Sequence, residues 1–105
     1  MRIALIGGMT RSENELVATA KRAGHHLERH DGNVGGRGAL ELRAVVERSD
    51  LVVIITRLTS HGSMYAAKKL SRLHGRTALV LRTCGVARLQ LLLAQFNDSG
   101  LAQVA

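Results

Sequence analysis

The sequence of 105 residues has little of several residue types that separate one class of protein from another. Cys84 is the single cysteine, so an internal disulfide is excluded and a reducing cytoplasm is the expected location. Trp and Pro are absent, and Tyr65 and Phe96 are the two aromatic residues, so the core is expected to be aliphatic. No apolar run approaches the roughly 20 residues that a bilayer span needs, which argues against a membrane protein.

Acidic residues are also scarce. Eight stand against fifteen Lys and Arg, which gives a formal net charge of +7. Such an excess favours an anionic partner, whether a phosphate, a carboxylate or a nucleic acid, while an ordinary solvated surface is the alternative. Most of the basic residues are Arg, which pairs in a fork-like manner with carboxylates and phosphates. The shortage of aromatic rings for base stacking argues against nucleic acid and favours a small anionic molecule.

Segments with strand and helix patterns alternate along the whole chain, without a linker or a repeat. Continuous apolar runs such as Leu51–Ile55 are typical of central parallel strands. Helices are indicated by capping residues, Ser12 for the first helix and either Thr59 or Ser60 for the third, and by Gly24 and Gly75 at helix ends. The predicted strands are 2–6, 25–30, 51–55 and 77–81, and the predicted helices are 12–23, 38–49, 60–74 and 85–96. Residues 101–105 form either a tail or a short fifth strand.

This βαβαβαβα pattern predicts an α/β fold that comprises one Rossmann-like or flavodoxin-like domain over residues 1–105. Right-handed crossovers place helices on both faces of a small parallel sheet of four or five strands, with the order 2-1-3-4. Ligands of such sheets bind beyond the C-terminal ends of the strands, where the order reverses. We therefore expect the functional site in the loops after the first and third strands.

Basic side chains and backbone N–H groups converge on that edge of the predicted sheet. Helices that begin near Ser12, Ser60 and Gly85 add the positive ends of their dipoles. The arrangement indicates an anion site, although arginines in solvated loops are the alternative explanation. The residues expected there are Gly8 and Arg11, then His30, then Arg57 and His61, and finally Arg82.

Two nucleotide-binding motifs are missing from these loops. Gly7 and Gly8 are followed by no third glycine, so the dinucleotide fingerprint Gly-x-Gly-x-x-Gly is not present. No segment matches the phosphate-binding Gly-x-x-x-x-Gly-Lys-Ser/Thr pattern either. Binding of NAD or ATP is therefore not expected.

Among these residues, His61 is the one that most specifically indicates a ligand-binding role. It falls in the first turn of the third helix, where the helix dipole favours a neutral imidazole that is able to act as a ligand. Met64 and Tyr65 follow at i+3 and i+4, on the same helix face. The alternative is a polar residue at a helix start, with Met64 and Tyr65 in the core.

Cys84 follows the fourth strand and precedes a helix. The helix dipole and Arg82 would lower the pKa of its thiol, as in a thiol enzyme, whereas a small buried apolar residue is the alternative. His26 and His30 lie four residues apart on a strand, about 13 Å, which is too far to chelate one ion. A haem iron needs only one histidine, so haem remains compatible with the sequence.

Several short motifs in fixed order resemble the bacterial family known as domain of unknown function 2325. They are Gly7-Gly8, His30-Asp31-Gly32, Asp50-Leu51-Val52, Ser60-His61 and Lys68-Lys69, and the resemblance covers about residues 2–93. It implies a small Rossmann-like domain of cytoplasmic bacterial proteins, and haem binding as a function. On that basis His61 is the first candidate for an axial iron ligand, with His30 and His26 behind it. Arg11, Arg57 and Arg82 would then pair with the propionates.

We therefore expect a non-enzymatic haem-binding protein, a carrier or a sensor, with His61, Met64 and Tyr65 at the cofactor. A regulatory module that takes a phosphate-bearing small molecule or nucleotide at the same loops is the alternative. The fourth helix, Gly85–Phe96, is apolar on most sides, with polar side chains at Arg88, Gln90 and Gln95. This pattern predicts a homo-oligomer with that helix at the interface.

Overall fold

Four strands and four helices alternate along the chain in a computed structural model, which describes residues 1–8, 13–57 and 59–99, with side chains described as far as Phe96. The predicted α/β pattern is confirmed element by element. The strands are β1 (Arg2–Ile6), β2 (His26–His30), β3 (Leu51–Ile55) and β4 (Thr77–Leu81). The helices are α1 (Glu13–Arg22), α2 (Gly38–Glu47), α3 (His61–Leu73) and α4 (Val86–Ser99).

The strands form one parallel sheet in the order β2-β1-β3-β4, as predicted. The central strands β1 and β3 are paired in register, with Ile3 opposite Leu51 and Ile6 opposite Ile54. All five residues of β3 are buried. A strand covered on both faces needs an unbroken apolar run, which explains why β3 carries no polar residue.

The two faces of the sheet carry different helices. Ile3 and Leu5 point to the first face, where α1 and α4 cover them, and Ala4 and Ile6 point to the second face, beneath α2 and α3. Each helix contributes an apolar stripe to its own face, because a half-buried helix must cover the sheet with one side. Buried contributors are Leu16, Ala20, Leu89, Leu92, Leu93 and Phe96 on the first face and Leu42, Val45, Val46 and Ala67 on the second.

Most predicted boundaries agree with the structure, and the differences have local causes. β2 begins at His26 rather than His25, because the His25 backbone N–H donates to the carbonyl of Ala20 at 2.8 Å and so belongs to the end of α1. Ser60 is confirmed as the N-cap of α3. α4 continues to Ser99 rather than ending at Phe96, since the polar residues after Phe96 are compatible with helical backbone angles.

Two expectations concern residues outside the described part of the chain. These are the capping role of Ser12 and the short strand or tail at 101–105. Among the residues that the structure describes, no helix combines the length and the apolar character needed to cross a membrane.

Candidate functional site

The C-terminal ends of the four parallel strands lie along one edge of the sheet, as their register requires. We call the loops that follow Ile6, His30, Ile55 and Leu81 the rim. Strand order reverses between β1 and β3, so the loops after these two strands diverge to opposite faces. The rim is therefore the place where the predicted site residues are expected to meet.

A glycine turn at the end of β1 packs tightly against the start of α3. Gly7 has φ +84°, and its N–H donates to the carbonyl of His30 at 2.8 Å. Gly8 donates its N–H to Oγ1 of Thr59 at 3.1 Å. A Cβ atom at Gly7 would overlap Oγ1 of Thr59, so only glycine allows this approach. The turn thus fixes the loops after β1, β2 and β3 to one another, and it places Gly8 at the rim.

His30 is built into the rim as a structural group. Its side chain is 7% exposed, and Nδ1 accepts a hydrogen bond from the Gly32 N–H at 2.9 Å. A neutral ring that accepts at Nδ1 carries its proton on Nε2, which leaves no free lone pair for a metal. This geometry favours a role for His30 in ordering the loop after β2. It does not favour the role of iron ligand, for which His30 was a candidate behind His61.

His61 has a different environment at the first position of α3. Ser60 caps the helix, and its Oγ accepts from the Ser63 N–H at 3.1 Å and lies 2.8 Å from the Ser63 Oγ. The imidazole of His61 is exposed, and within the described residues it makes no hydrogen bond or ion pair. It is therefore available to a ligand in solution.

Met64 and Tyr65 differ in their exposure to solvent. Tyr65, one turn along α3, is 66% exposed. Met64 is half-buried and packs against the core of the second face. Of the three residues expected on one helix face, the structure therefore leaves His61 and Tyr65 accessible together and directs Met64 inward.

Arg57 and Arg82 are brought side by side by the two last strands. The parallel pairing of β3 and β4 continues beyond the strands, with Thr56 N–H donating to Leu81 O at 2.8 Å and Arg57 N–H to Arg82 O at 3.1 Å. Both side chains are exposed, and neither has a carboxylate partner among the described residues. Two unneutralised guanidinium groups thus follow adjacent strands at the rim. Arg11, the third arginine expected here, lies outside the described residues.

Arg29 belongs to the rim but was not predicted. Its Nη2 donates to the carbonyl of Gly8 at 2.6 Å, and its Nε lies 3.9 Å from Oε1 of Glu13. The side chain is 16% exposed and joins β2 to the glycine turn and to α1. The signal was present in the alternation of β2, since Arg29 is two residues from the buried Leu27 and so points to the same, first face.

The other histidines are engaged away from the rim. His25 Nδ1 lies 3.0 Å from the amino group of Met1. His26 is exposed at the N-terminal end of β2, where its backbone lies opposite Arg2 in the strand register. His74, the C-cap of α3, has Nε2 3.5 Å from Oε1 of Glu47. Among the described residues, no group of three or more His, Cys, Asp and Glu side chains is arranged to hold a metal ion.

Cys84 behaves as a core residue rather than as an activated thiol. It packs against the apolar cluster of the first face. Burial raises the pKa of its thiol, and the opposing effect of the nearby cation comes from Arg88, not from Arg82 as the sequence suggested. Desolvation therefore outweighs the positive charge of Arg88, so that the thiol form is favoured.

Comparison with known proteins gives one match. Residues 2–96 match the family model described as "Uncharacterized protein conserved in bacteria (DUF2325)", which confirms the resemblance seen in the sequence motifs. No curated protein and no solved structure matches the chain.

Proposed function

The chain belongs to the DUF2325 family of bacterial proteins, and we propose that it is a non-enzymatic haem-binding protein, a carrier or a sensor, with His61 as the axial iron ligand. The observation that supports this proposal is the accessible imidazole at the start of α3, one turn before an exposed Tyr65 and four residues after Arg57. Arg57 and its neighbour Arg82 have no carboxylate partner among the described residues.

The position of His61 suits a ligand nitrogen. Iron is bound through a ring nitrogen, and the ring of His61 is exposed at the first position of α3. The bond from Ser63 N–H to Ser60 Oγ orders the turn that carries His61. Tyr65 adds an exposed aromatic ring one turn further along the same side of α3. When haem is bound, its iron would supply the redox or gas-binding chemistry, while the chain would supply the ligand nitrogen of His61 and the aromatic ring of Tyr65.

Arg57 and Arg82 suit the anionic part of the same ligand. Guanidinium groups form bidentate, charge-assisted hydrogen bonds with carboxylates such as the propionates of haem. The two arginines are fixed in adjacent positions by their backbone bond of 3.1 Å. Because His61, Tyr65 and both arginines are exposed, the site is open to solvent. An open site favours reversible binding, as a carrier or a sensor requires.

The test is a titration of the purified protein with ferric haem, followed by the Soret absorption band. We expect a shifted band with the unsubstituted protein and at least a tenfold weaker affinity with His61→Ala. His74→Ala is the matched control, since it removes a histidine from the other end of the same helix and should bind as before. Absence of a shifted band in the unsubstituted protein, or equal binding by the two variants, would overturn the proposal.

A phosphate-bearing small molecule is the second candidate ligand, and it is favoured because Arg57 and Arg82 follow adjacent strands at the rim and α3 begins at His61, four residues after Arg57. Free N–H groups of a first helical turn bind phosphate without help from an imidazole. Thermal shift with inorganic phosphate, sulfate and a panel of nucleotides separates the two ligands. Phosphate binding predicts stabilisation that persists in His61→Ala and is lost in the double variant Arg57→Ala, Arg82→Ala. Haem binding predicts no stabilisation by these anions.

A further inference from the structure

We propose that two copies of this chain pair through the outer edges of β4, in antiparallel orientation, so that their sheets join into one of eight strands. β4 hydrogen-bonds to β3 on one side and to no described strand on the other. Its outward N–H and C=O groups therefore form an open ladder, and an open ladder of this kind pairs readily with another strand. The occupant that we assign to it is the same strand of a second copy.

The composition of β4 distinguishes it from a protected edge. Its sequence, Thr-Ala-Leu-Val-Leu, contains no charge and no proline, and it pairs with β3 residue by residue without a bulge. Proteins that keep an edge strand unpaired usually place lysine, proline or a bulge there. None of these protective features is present in β4.

The other edge of the same sheet has the protection that β4 lacks. β2 reads His-Leu-Glu-Arg-His. Glu28 accepts two hydrogen bonds from Arg48, at 2.7 and 2.6 Å, so a bidentate ion pair lies along that edge. A second strand would have to displace or desolvate these charges. The contrast between two edges of one sheet selects β4 as the interface.

Apolar side chains around β4 are left uncovered on both faces of the sheet. On the second face Ala78 is exposed and Val80 is 46% exposed. On the first face a groove of about 440 Å³ separates β4 from α4. Its apolar lining comes from Leu79, Leu81, Leu91 and Leu92, of which Leu91 is 67% exposed. In the paired dimer the α4 helix of the second copy would approach the groove on the first face, and the strand of the second copy would lie beside Ala78 and Val80.

A strand that followed α4 within the same chain would not reach this edge by an ordinary connection. The right-handed crossover from β3 outward to β4 passes over the second face, through α3. α4 instead packs with α1 on the first face. A further parallel strand outside β4 would then need a left-handed crossover, which occurs in about 2% of such units. A strand of a second molecule is not subject to this constraint.

The geometry also selects a register. With Leu79 on the two-fold axis, all five residues pair, Leu79 lies opposite its own copy, and Ala78 lies opposite Val80 of the other chain. Each facing pair then joins residues of low polarity. A two-fold axis perpendicular to the sheet keeps both α4 helices on the same side, so each exposed Leu91 approaches the junction. The apolar α4 thus flanks an interface whose centre is β4.

Light scattering coupled to size exclusion, at moderate salt to screen the +7 charge of each copy, tests the pairing. We expect twice the chain mass for the unsubstituted protein and the single chain mass for Val80→Lys. The matched control is Val17→Lys, which adds the same charge at a valine of 36% exposure on α1 and should leave the dimer intact. A monomer before substitution, or a dimer that persists in Val80→Lys, would overturn the proposal.

Cysteine cross-linking tests the register and does not depend on the folding of Val80→Lys. In a Cys84→Ser background, Leu79→Cys should form a disulfide-linked dimer under a mild oxidant, since facing residues of antiparallel strands have Cα atoms about 4.5–5.5 Å apart. Ala78→Cys alone should remain uncross-linked, whereas Ala78→Cys combined with Val80→Cys should link. Failure of Leu79→Cys to link in a folded protein would refute the pairing.

Discussion

Replacing Gly7 with alanine should destabilise the protein much more than the same change at Gly24. Both glycines have left-handed backbone angles, φ +84° and φ +86°. At Gly24 a new Cβ would have no atom within 4 Å, whereas at Gly7 it would overlap Oγ1 of Thr59 and approach Cγ2 of the same residue at 3.0 Å. Gly24→Ala therefore measures the backbone cost alone, and Gly7→Ala measures the backbone cost plus the overlap.

The expected magnitudes follow from these two contributions. A left-handed alanine costs about 1–2 kcal/mol. Forcing an extra methyl group into a packed site costs about 1–3 kcal/mol more. We expect Gly24→Ala to lower the free energy of unfolding by about 1–2 kcal/mol and Gly7→Ala by about 2–5 kcal/mol. The larger value is a substantial part of the roughly 5–15 kcal/mol that a domain has in total.

Urea denaturation followed by circular dichroism is the appropriate assay, with Tm as a second measurement. About 4–8 °C of Tm corresponds to each kcal/mol in a domain near this size. Thr59→Ala removes the two nearest atoms, Oγ1 and Cγ2, and leaves Cβ at 3.1 Å from the new methyl group. It should therefore recover part of the loss when combined with Gly7→Ala, beyond its own effect on the Gly8 hydrogen bond. Equal destabilisation by Gly7→Ala and Gly24→Ala would refute the packing argument.

Two further predictions follow from the pKa shifts. The hydrogen bonds from Arg48 hold the pKa of the Glu28 carboxyl below its usual range, so their stabilisation is complete above the pKa of unfolded glutamate and is lost as the pH falls through the lowered folded value. The stability gap between the unsubstituted protein and Glu28→Gln should therefore be present at pH 7 and narrow below pH 4 in urea titrations. Glu41→Gln controls for loss of an exposed carboxylate on α2, and a gap that is constant with pH would contradict the assignment. Because burial raises the pKa of the Cys84 thiol and Arg88 opposes that rise, iodoacetamide should alkylate Cys84 more slowly than free cysteine at pH 8, and Arg88→Ala should slow the reaction further. Alkylation faster than that of free cysteine would contradict a buried thiol.

The architecture was predictable because its determinants are local in sequence. Leu51–Ile55 is uniformly apolar, which only a strand covered on both faces requires, and the lengths of the intervening helices leave few ways to connect four parallel strands. The N-cap at Ser60 is likewise visible from the residue type and its position before the apolar stripe of α3. Strand order, helix placement and family membership therefore follow from the sequence.

The chemistry of the rim was less predictable, because it depends on residues far apart in sequence. His30 and His61 are the same residue type, so composition alone does not separate them. In the structure His30 is buried and accepts a hydrogen bond from a backbone N–H, whereas His61 is exposed. The alternation of β2 predicts which face Arg29 points to, but not the carbonyl of Gly8, 21 positions away, to which it donates a hydrogen bond. At Cys84 two opposing effects, burial and nearby positive charge, act on one thiol, and only packing decides between them.

The central position of β1 has a consequence for synthesis on the ribosome. Both neighbours of β1 come later in the chain, and β3 is complete only at Ile55. After Ile6 has been added, about fifty more residues must follow, which takes roughly 2.5–10 s at about 5–20 residues per second. During that interval the apolar strand β1 has no partner on its β3 side. Among the four described strands, β1 therefore waits longest for its second neighbour, and its apolar side chains are exposed to contacts with other chains for that time.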